Sequence, residues 1–279
     1  MVKIVTDSVS DIPAKVAQEL GITIVPLYVR FGSEVYRDGV GLSSEEFYRK
    51  LTTSRIFPTT ATAAPGEFAK VYDKLAEETD EILSIHASSK LTAIYDVALQ
   101  GKEQMKMKRK CRVEVIDSLA AIMAEGFITI VAAKEAQTGA RLGQVADMAR
   151  KAIPKVHLRM CFDTLEYLRR GGRIGRAQAL LGSMLRVNPI LGLKDGEPYP
   201  FGRPRSRAKA IEQIYNFVRS FPNIRELAIE HATTPDEVEA LVQRLGAVFP
   251  KERIYISTIS PVIGAHVGPH VIGVAVLEG

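Results

Sequence analysis

The stretch MVKIVTDSVSDIPAKVAQELGITIV, residues 1–25, contains the pattern that decides the fold. Its β-branched run Lys3–Thr6 predicts a short strand, and Ser8-x-x-Asp11 resembles a capping box at the start of a helix. That helix is predicted over Pro13–Leu20, and a second strand over Thr23–Val29. A strand, a helix and another strand in this order predict the first unit of a parallel sheet.

The same alternation continues through the first half of the chain. Strands are predicted over Glu81–Ile85 and Val113–Ile116, and the second ends in Asp-Ser, as the first strand of the chain does. Ile56–Pro65 is predicted to be a loop. Apolar residues at helical spacing predict the intervening helices: Glu45–Leu51, Gly66–Glu78, a helix from about Lys90, Leu119–Gln137 and Arg141–Ile153.

The pattern changes near Pro154, where we place a domain boundary. Lys194-Asp195-Gly196 predicts a hairpin, which is antiparallel. We therefore predict a two-domain α/β protein, with a parallel-sheet N-terminal domain at residues 1–154 and a mixed-sheet α/β C-terminal domain at residues 155–279. The predicted strands of the second domain are Val156–Met160, Val187–Leu193, Glu226–Glu230, Arg253–Ser257 and His270–Leu277. Its predicted helices are Thr164–Leu168, Gln178–Leu185, Ser206–Ser220 and Pro235–Leu245.

Composition narrows the class of protein. Of the 279 residues, 46% are hydrophobic and 25% charged, which is typical of a globular chain, and the net charge of +5 allows an acidic partner without requiring nucleic acid. Cys111 and Cys161 have no metal or disulfide spacing. The N-terminus lacks a signal core, and the apolar stretch Leu119–Ala133 is shorter than the ~20 residues of a membrane span. We expect a cytoplasmic protein without an integral membrane segment.

Several catalytic motifs are absent from the sequence. It has no GxSxG elbow, no GxxxxGK[ST] or GxGxxG phosphate loop, and no HExxH. These absences lower the expectation of an ordinary hydrolase, kinase or dehydrogenase.

Hydroxyl side chains cluster where predicted strands end and helices begin: Ser8, Thr60, Ser88, Ser89 and Thr92. They could cap helices, which is the simpler interpretation for Ser8 and Ser89, or converge as donors for an anion. Glycines also flank His266 within Gly264–His270. That segment fits a tight strand connection with a structural histidine as well as a close approach of backbone to a ligand.

Arginines are concentrated in two segments that also contain glycine or proline, Arg169–Arg176 and Arg203–Lys209. Such shaped basic segments are typical of contacts with phosphate or with an acidic partner. A third basic run, Lys106–Arg112, is interpreted as a solvated face. Few aromatic residues lie nearby, which argues against nucleic acid.

The chain resembles the DegV family, the fatty-acid-binding proteins (FakB-type) that serve bacterial fatty acid kinase. LEYLRRGGRI at residues 165–174 is the most specific match, and the order and spacing hold over nearly the whole chain. The other matching segments are VTDSVSDIP (5–13), FPTTATAAPGEF (57–68), SSKLTAIYDVA (88–98), VIDS (115–118), the extension of the main match to DTLEYLRRGGRIGRAQALLGSMLRVNPIL (163–191), RPRSRAKA (203–210) and HVGP (266–269).

The resemblance implies a ligand and a partner. A long-chain fatty acid would lie in a cleft between the two domains, and no cofactor or metal is implied. The partner would be the kinase subunit of a DhaK/DhaL-like fatty acid kinase, which phosphorylates the bound acid to an acyl phosphate. The chain itself would then be a substrate-presenting subunit for phospholipid synthesis rather than an enzyme.

The resemblance also implies site residues. Thr60, Thr92 and His266 would hold the carboxylate, with Thr62 and Ser88 as further candidates. The arginine-bearing segments of the second domain are implicated in docking, and we predict that Arg170, Arg173 and Arg205 dock an acidic face of the kinase or steer nucleotide phosphate. The head-group motifs depart from the family pattern, because Thr60–Ala64 replaces TSQPS and His270 replaces the last glycine of HTGPG.

Two other functions compete with this hypothesis. The hydroxyls and His266 could serve an enzyme that acts on a small carboxylated or phosphorylated metabolite, which would turn over without a partner. The arginine clusters could serve a nucleic-acid-binding regulator, whose binding would depend steeply on salt.

Overall fold

The computed structural model describes residues 1–106, 110–183 and 187–279. Within them the strands are β1 (Lys3–Asp7), β2 (Ile22–Val25), β3 (Tyr28–Phe31), β4 (Glu34–Arg37), β5 (Thr59–Ala61), β6 (Glu81–His86), β7 (Arg112–Asp117), β8 (Val156–Cys161), β9 (Ile190–Lys194), β10 (Glu197–Gly202), β11 (Ile224–His231), β12 (Ile254–Thr258) and β13 (Ile272–Glu278). The α-helices are α1 (Ala14–Leu20), α2 (Ser44–Thr53), α3 (Pro65–Leu75), α4 (Ile94–Glu103), α5 (Ile122–Gln137), α6 (Leu142–Ala152), α7 (Glu166–Arg170), α8 (Arg207–Arg219), α9 (Pro235–Leu245) and α10 (Pro261–Val267).

The first sheet has the strand order β2-β1-β6-β7, and all of its pairs are parallel. All six residues of β6 are buried, as expected for a parallel strand covered by helices on both faces. Residues Ile122–Ala133 of helix α5 are buried around its whole circumference, because the helix packs between this sheet and strands β8 and β13 of the next one. The predicted parallel sheet is therefore confirmed.

The second sheet has six strands in the order β10-β9-β8-β13-β11-β12, and only β11 and β12 are parallel. Its inner face packs on α5, and helices α8 and α9 cover its outer face around Ile214, Leu241 and Val274. The predicted hairpin joins β9 to β10, with positive φ angles of 54° at Asp195 and 81° at Gly196. This mixed sheet confirms the predicted class of the second half, whereas the boundary at residue 154 stays a prediction.

A small antiparallel sheet, β4-β3-β5, corrects two predictions. The strand predicted over Thr23–Val29 is broken, because Pro26 has no N–H for a ladder and separates β2 from β3. The segment Ile56–Pro65 is not only a loop, since β5 lies within it and Thr60 pairs with Val29. Tertiary pairing rather than local propensity decides the second of these outcomes.

The segment before the last strand forms helix α10, which the sequence did not predict. Pro261 occupies its first turn, and Gly268 ends it with φ +78°. Seven residues are too few for a clear helical period. The predicted short helix Gln178–Leu185 is a 3-10 helix where it is described, and it spans Gly175–Ser183. Its last two predicted residues lie outside the described residues, as do Lys108 and Arg109 of the third basic run.

The polar corner after β1 also differs from the prediction. Asp7 rather than Ser8 caps the turn, since its Oδ1 accepts the N–H of Val9 at 2.9 Å. The Oγ of Ser8 instead accepts the N–H of Leu27. Asp7 also contacts Nδ1 of His86 at 2.9 Å and accepts the N–H of Ala87 at 3.3 Å. One buried carboxylate thus joins the carboxyl ends of β1 and β6.

Candidate functional site

An apolar cleft lies between the carboxyl ends of the first sheet and the inner face of the second. It contains about 840 Å³ of space that protein atoms do not fill, part of it open to solvent. Both halves of the chain line it, and representative apolar residues are Val9, Ala87, Ile122, Met160, Leu191 and Val262. Among the described residues, its polar side chains are Thr60, Thr92, Arg173 and His266. The cleft therefore combines a long apolar surface with a small polar group.

Thr60 and His266 are 206 positions apart in the chain, but their side chains meet, with 2.9 Å between Oγ1 and Nε2. Nδ1 of His266 is buried and has no hydrogen-bond partner among the described residues. A buried N–H without an acceptor costs more free energy than a buried acceptor without a donor. The unpaired Nδ1 therefore favours the tautomer that carries the proton on Nε2. His266 then donates to Thr60, which leaves the hydroxyl proton of Thr60 free to face the cleft.

The imidazole of His266 is neutral at pH 7. Burial, and secondarily the charge of Arg173, lower the pKa of His266 to about 4. Its position depends on a close approach of backbone, because a Cβ on Gly171 would lie 2.2 Å from Nδ1. Glycine at this point of the LRRGGR segment thus makes room for the histidine.

Arg173 stands at the mouth of the cleft with an exposed side chain. Its Nε donates to the carbonyl of Leu91 at 3.2 Å and its Nη1 to that of Gly171 at 2.6 Å. No salt bridge neutralises it within the described part of the chain. The bond to Leu91 also holds the neighbouring Thr92 at the cleft, and the Thr92 hydroxyl has no partner among the described residues. The mouth therefore offers two hydroxyl donors, one neutral histidine and one positive charge.

The remaining candidates lie away from this group. Thr62 follows β5 and does not line the cleft. Ser88 is fully buried, and its hydroxyl already donates to the carbonyl of Gly196 at 2.8 Å. Ser88 thus ties the turn after β6 to the β9–β10 hairpin, which leaves Thr60, Thr92 and His266 as the candidates that the structure brings together.

The arginines predicted to dock a partner fall at separate places. Arg170 is exposed, pairs with Glu166 at 2.7 Å and lies over the ring of Phe57. Arg205 lines a second, polar groove together with Asn188, Thr234 and His270, which we call the Arg205 groove. Arg207 also lines it but is already paired with Glu237 and Asp163. Within the described residues, no salt bridge of this groove involves Arg205.

Comparison with known proteins decides the family. A sequence model described as "Uncharacterised protein, DegV family" matches residues 1–279. The chain belongs to the DegV family. It is 36% identical over 279 residues to a DegV domain-containing protein of Streptomyces coelicolor, covering 99% of this chain and 98% of the relative.

Solved DegV structures share this fold. The DegV family protein of Thermus thermophilus, described by its fatty acid binding, is 33% identical with a TM-score of 0.91, covering 100% of this chain and 99% of that one. DegV of Bacillus subtilis, described as a fatty acid binding protein, is 29% identical with a TM-score of 0.90, covering 99% of each chain. The two-domain α/β class predicted from the sequence is confirmed.

Two absences hold for the described residues, 1–106, 110–183 and 187–279. None of their helices is both long and apolar enough to cross a membrane. Nor do they contain a group of three or more His, Cys, Asp or Glu side chains that could hold a metal ion.

The sequence placed Arg173 with the docking residues and did not single out Gly171. The structure places Arg173 at the cleft mouth and Gly171 against His266. The pair Gly171-Gly172 beside an arginine was the available signal, since consecutive glycines often mark a close approach of backbone.

Proposed function

We propose that this DegV protein binds a long-chain fatty acid in the cleft, with the carboxylate at Thr60, Thr92 and His266. The observation that supports this most directly is the apolar cleft whose polar side chains gather at its mouth. Thr60 and Thr92 each offer a hydroxyl donor, and Arg173 supplies a charge that attracts the carboxylate. The relatives from Thermus thermophilus and Bacillus subtilis, both described as binding fatty acids, support the same ligand class.

The energetics of the tail fit this ligand. Burial of one methylene group contributes about 0.8 kcal/mol, so a sixteen-carbon tail contributes on the order of 10 kcal/mol before the costs of binding. Side chains such as Met160, Leu191 and Val262 provide the apolar surface that this burial requires.

We propose further that the protein is cytoplasmic and presents the acid to the kinase subunit of a DhaK/DhaL-like fatty acid kinase. A carboxylate oxygen would attack the γ-phosphorus of ATP on the partner, the bond to the β,γ-bridging oxygen would break, and ADP would leave. Hydroxyl donors suit this step, because they hold the carboxylate without a tight ion pair. Neutral His266 orients Thr60, and exposed Arg173 faces the incoming phosphoryl group. The bond-making chemistry would thus belong to the partner.

Mass spectrometry of an organic extract from the purified, denatured protein tests the ligand class. We expect one long-chain fatty acid per chain, and the mass gives its length and saturation. An empty extract together with no binding of added palmitate or oleate would contradict the proposal. Turnover of a small metabolite without a partner would instead favour an enzyme.

Substitution of Gly171 tests the geometry of the head-group site. We expect Gly171→Ala to weaken palmitate binding about tenfold or more, because the new Cβ would displace His266 from Thr60. Gly172→Ala is the matched control: it adds strain at φ +70° but meets no atom within 4 Å. Its palmitate affinity, measured by titration calorimetry, should stay normal. Equal losses in both variants would show that the effect is general.

Charge reversal at Arg205 tests the docking proposal. We expect Arg205→Glu to slow phosphorylation by the kinase subunit while palmitate affinity stays normal, because the Arg205 groove is separate from the cleft lining. Arg219→Glu makes the same charge change at the other end of α8 and should leave phosphorylation unchanged. Loss of palmitate binding in Arg205→Glu would move Arg205 into the lipid site.

A further inference from the structure

The helix that carries His266 is held at its start by two carboxyl groups from the other half of the chain. The N–H of Ser260, which precedes α10, donates to the Asp11 carboxylate at 3.3 and 3.4 Å. The N–H of Val262, in the first turn of α10, donates to Oδ1 of Asp38 at 3.4 Å. Helix N-termini favour such acceptors because their first N–H groups have no partner within the helix.

These two carboxyl groups are deeply buried, with Asp11 8% and Asp38 3% exposed. Among the described residues no lysine or arginine pairs with either of them. The Oγ of Ser257 also donates to the carbonyl of Asp11 at 2.6 Å, and the hydroxyl of Tyr48 donates to that of Ile259 at 3.2 Å. The segment from residue 257 to residue 262, which connects β12 to α10, is thus fastened to the first half of the chain.

Helix α10 is fitted closely along its length. A Cβ on Gly264 would lie 2.5 Å from the ring of Phe47 and 2.7 Å from the hydroxyl of Tyr48. At its other end His266 meets Gly171 and Thr60. Val262 and His266 both line the cleft. A shift at the start of this seven-residue helix would therefore move the head-group site.

We propose that Asp38, assisted by Asp11, is a positioning residue for the head-group site: its bond to the Val262 N–H holds α10 so that His266 meets Thr60. This inference rests on the proposed function for the importance of His266 to the ligand. The positioning itself stands on the bonds described above.

The surroundings of Asp38 predict a distinctive dependence on pH. Burial raises the pKa of Asp38 to about 6, and bonds from Ser8 and Val262 oppose that shift. The titratable groups near Asp38 are Asp7 of β1, Asp11 in the connection between β1 and α1, and Tyr48 of α2. Glu230 of β11 lies near Asp11 in turn. Because the pKa is higher in the folded than in the unfolded chain, Asp38 stabilises the fold most below pH 3.8, and this contribution is lost as pH rises through about 6.

Two substitutions at Asp38 separate positioning from folding. Asp38→Asn keeps an acceptor for Val262 and removes the charge. Asp38→Leu removes the acceptor together with the costly buried carboxyl, so we expect this variant to fold. Asp96→Ala, at an exposed position of α4, is the control. The readouts are ¹⁵N spectra of the five histidines, palmitate affinity, and the free energy of unfolding between pH 4 and pH 7.

We expect the His266 signal to change in Asp38→Leu and to be rescued in Asp38→Asn, while His157 and His231 stay as in the wild type. Palmitate binding should weaken about tenfold in Asp38→Leu and recover in Asp38→Asn. Asp38→Asn should also lose the component of stability that falls between pH 4 and pH 6. A wild-type His266 signal in folded Asp38→Leu would overturn the proposal.

The two proposals fail in different ways. If the wild type binds no palmitate, the proposed function fails, but the His266 spectra still test positioning because they need no ligand. If the wild type binds palmitate and Asp38→Leu binds it equally well, the positioning proposal fails alone.

Discussion

Replacing His266 by alanine is expected to slow phosphorylation of bound palmitate by about a hundredfold or more, the effect of losing one preorganised donor at a reacting centre. The expectation follows from the 2.9 Å contact between Nε2 of His266 and Oγ1 of Thr60. Without the imidazole, the Thr60 hydroxyl can rotate and its proton is no longer directed at the carboxylate. Palmitate affinity should fall less, by about tenfold, since the apolar tail contributes most of it.

The measurement is the rate of acyl phosphate formation with the kinase subunit, ATP and saturating palmitate, followed as hydroxamate. His157→Ala is the matched control, because His157 lies on β8 and lines neither the cleft nor the Arg205 groove. Its rate should equal that of the wild type. The His266 assignment would be wrong if the His266→Ala protein, fully loaded with palmitate, were phosphorylated at the normal rate.

The pH dependence of the same reaction is a second readout. Because the pKa of His266 lies at about 4, protonation of this residue should not limit the wild-type rate between about pH 5.5 and pH 8. A rate that declined below pH 6.5 in the wild type and not in Thr60→Val would indicate a histidine that titrates normally.

Replacing Asp7 by alanine is expected to lower the free energy of unfolding by about 3–5 kcal/mol, the range for breaking a buried polar pair by removing one partner. Asp7, His86 and Ser84 are fully buried. The Tyr72 hydroxyl donates to Ser84 at 2.8 Å, and Ser84 lies 2.6 Å from Nε2 of His86. Because the Ser84 oxygen accepts from Tyr72, its own proton is directed to Nε2 of His86. The proton of His86 then lies on Nδ1 and faces Asp7. Removal of Asp7 therefore leaves His86 and two backbone N–H groups without their acceptor.

Chemical denaturation at pH 7 measures this loss. Asp117→Ala is the matched control, because Asp117 ends β7 in a second Asp-Ser corner and accepts the N–H groups of Ser89 and Leu119. It is only half-buried, so water can replace it and the loss should be about 1 kcal/mol. Similar losses in the two variants would show that the network around His86 adds little stability.

The loss of Asp7 should also reach the ligand site. Asp7 binds the N–H groups of Val9 and Ala87, and both residues line the cleft. Asp7→Ala protein that remains folded is therefore expected to bind palmitate more weakly, whereas Asp117→Ala should bind it normally.

Sequence by itself determined the class of the fold and most of its elements. Helices such as α2, α8 and α9 were predicted within one or two residues, because their apolar spacing and caps are local signals. The same holds for β6, β7 and the hairpin at Asp195-Gly196. The motifs also led to Thr60, Thr92 and His266, through resemblance to the DegV family rather than through spacing.

Tertiary structure alone decided what those residues contact. Thr60 lies in a strand because Val29 pairs with it, and the segment that starts α10 is bonded to Asp11, Asp38 and Tyr48. The Thr60–His266 contact, the room made by Gly171 and the place of Arg173 join segments far apart in the chain. Local propensity and short motifs report on neighbours in sequence, whereas burial and hydrogen-bond satisfaction depend on the whole fold, so only the structure could bring these groups to one site.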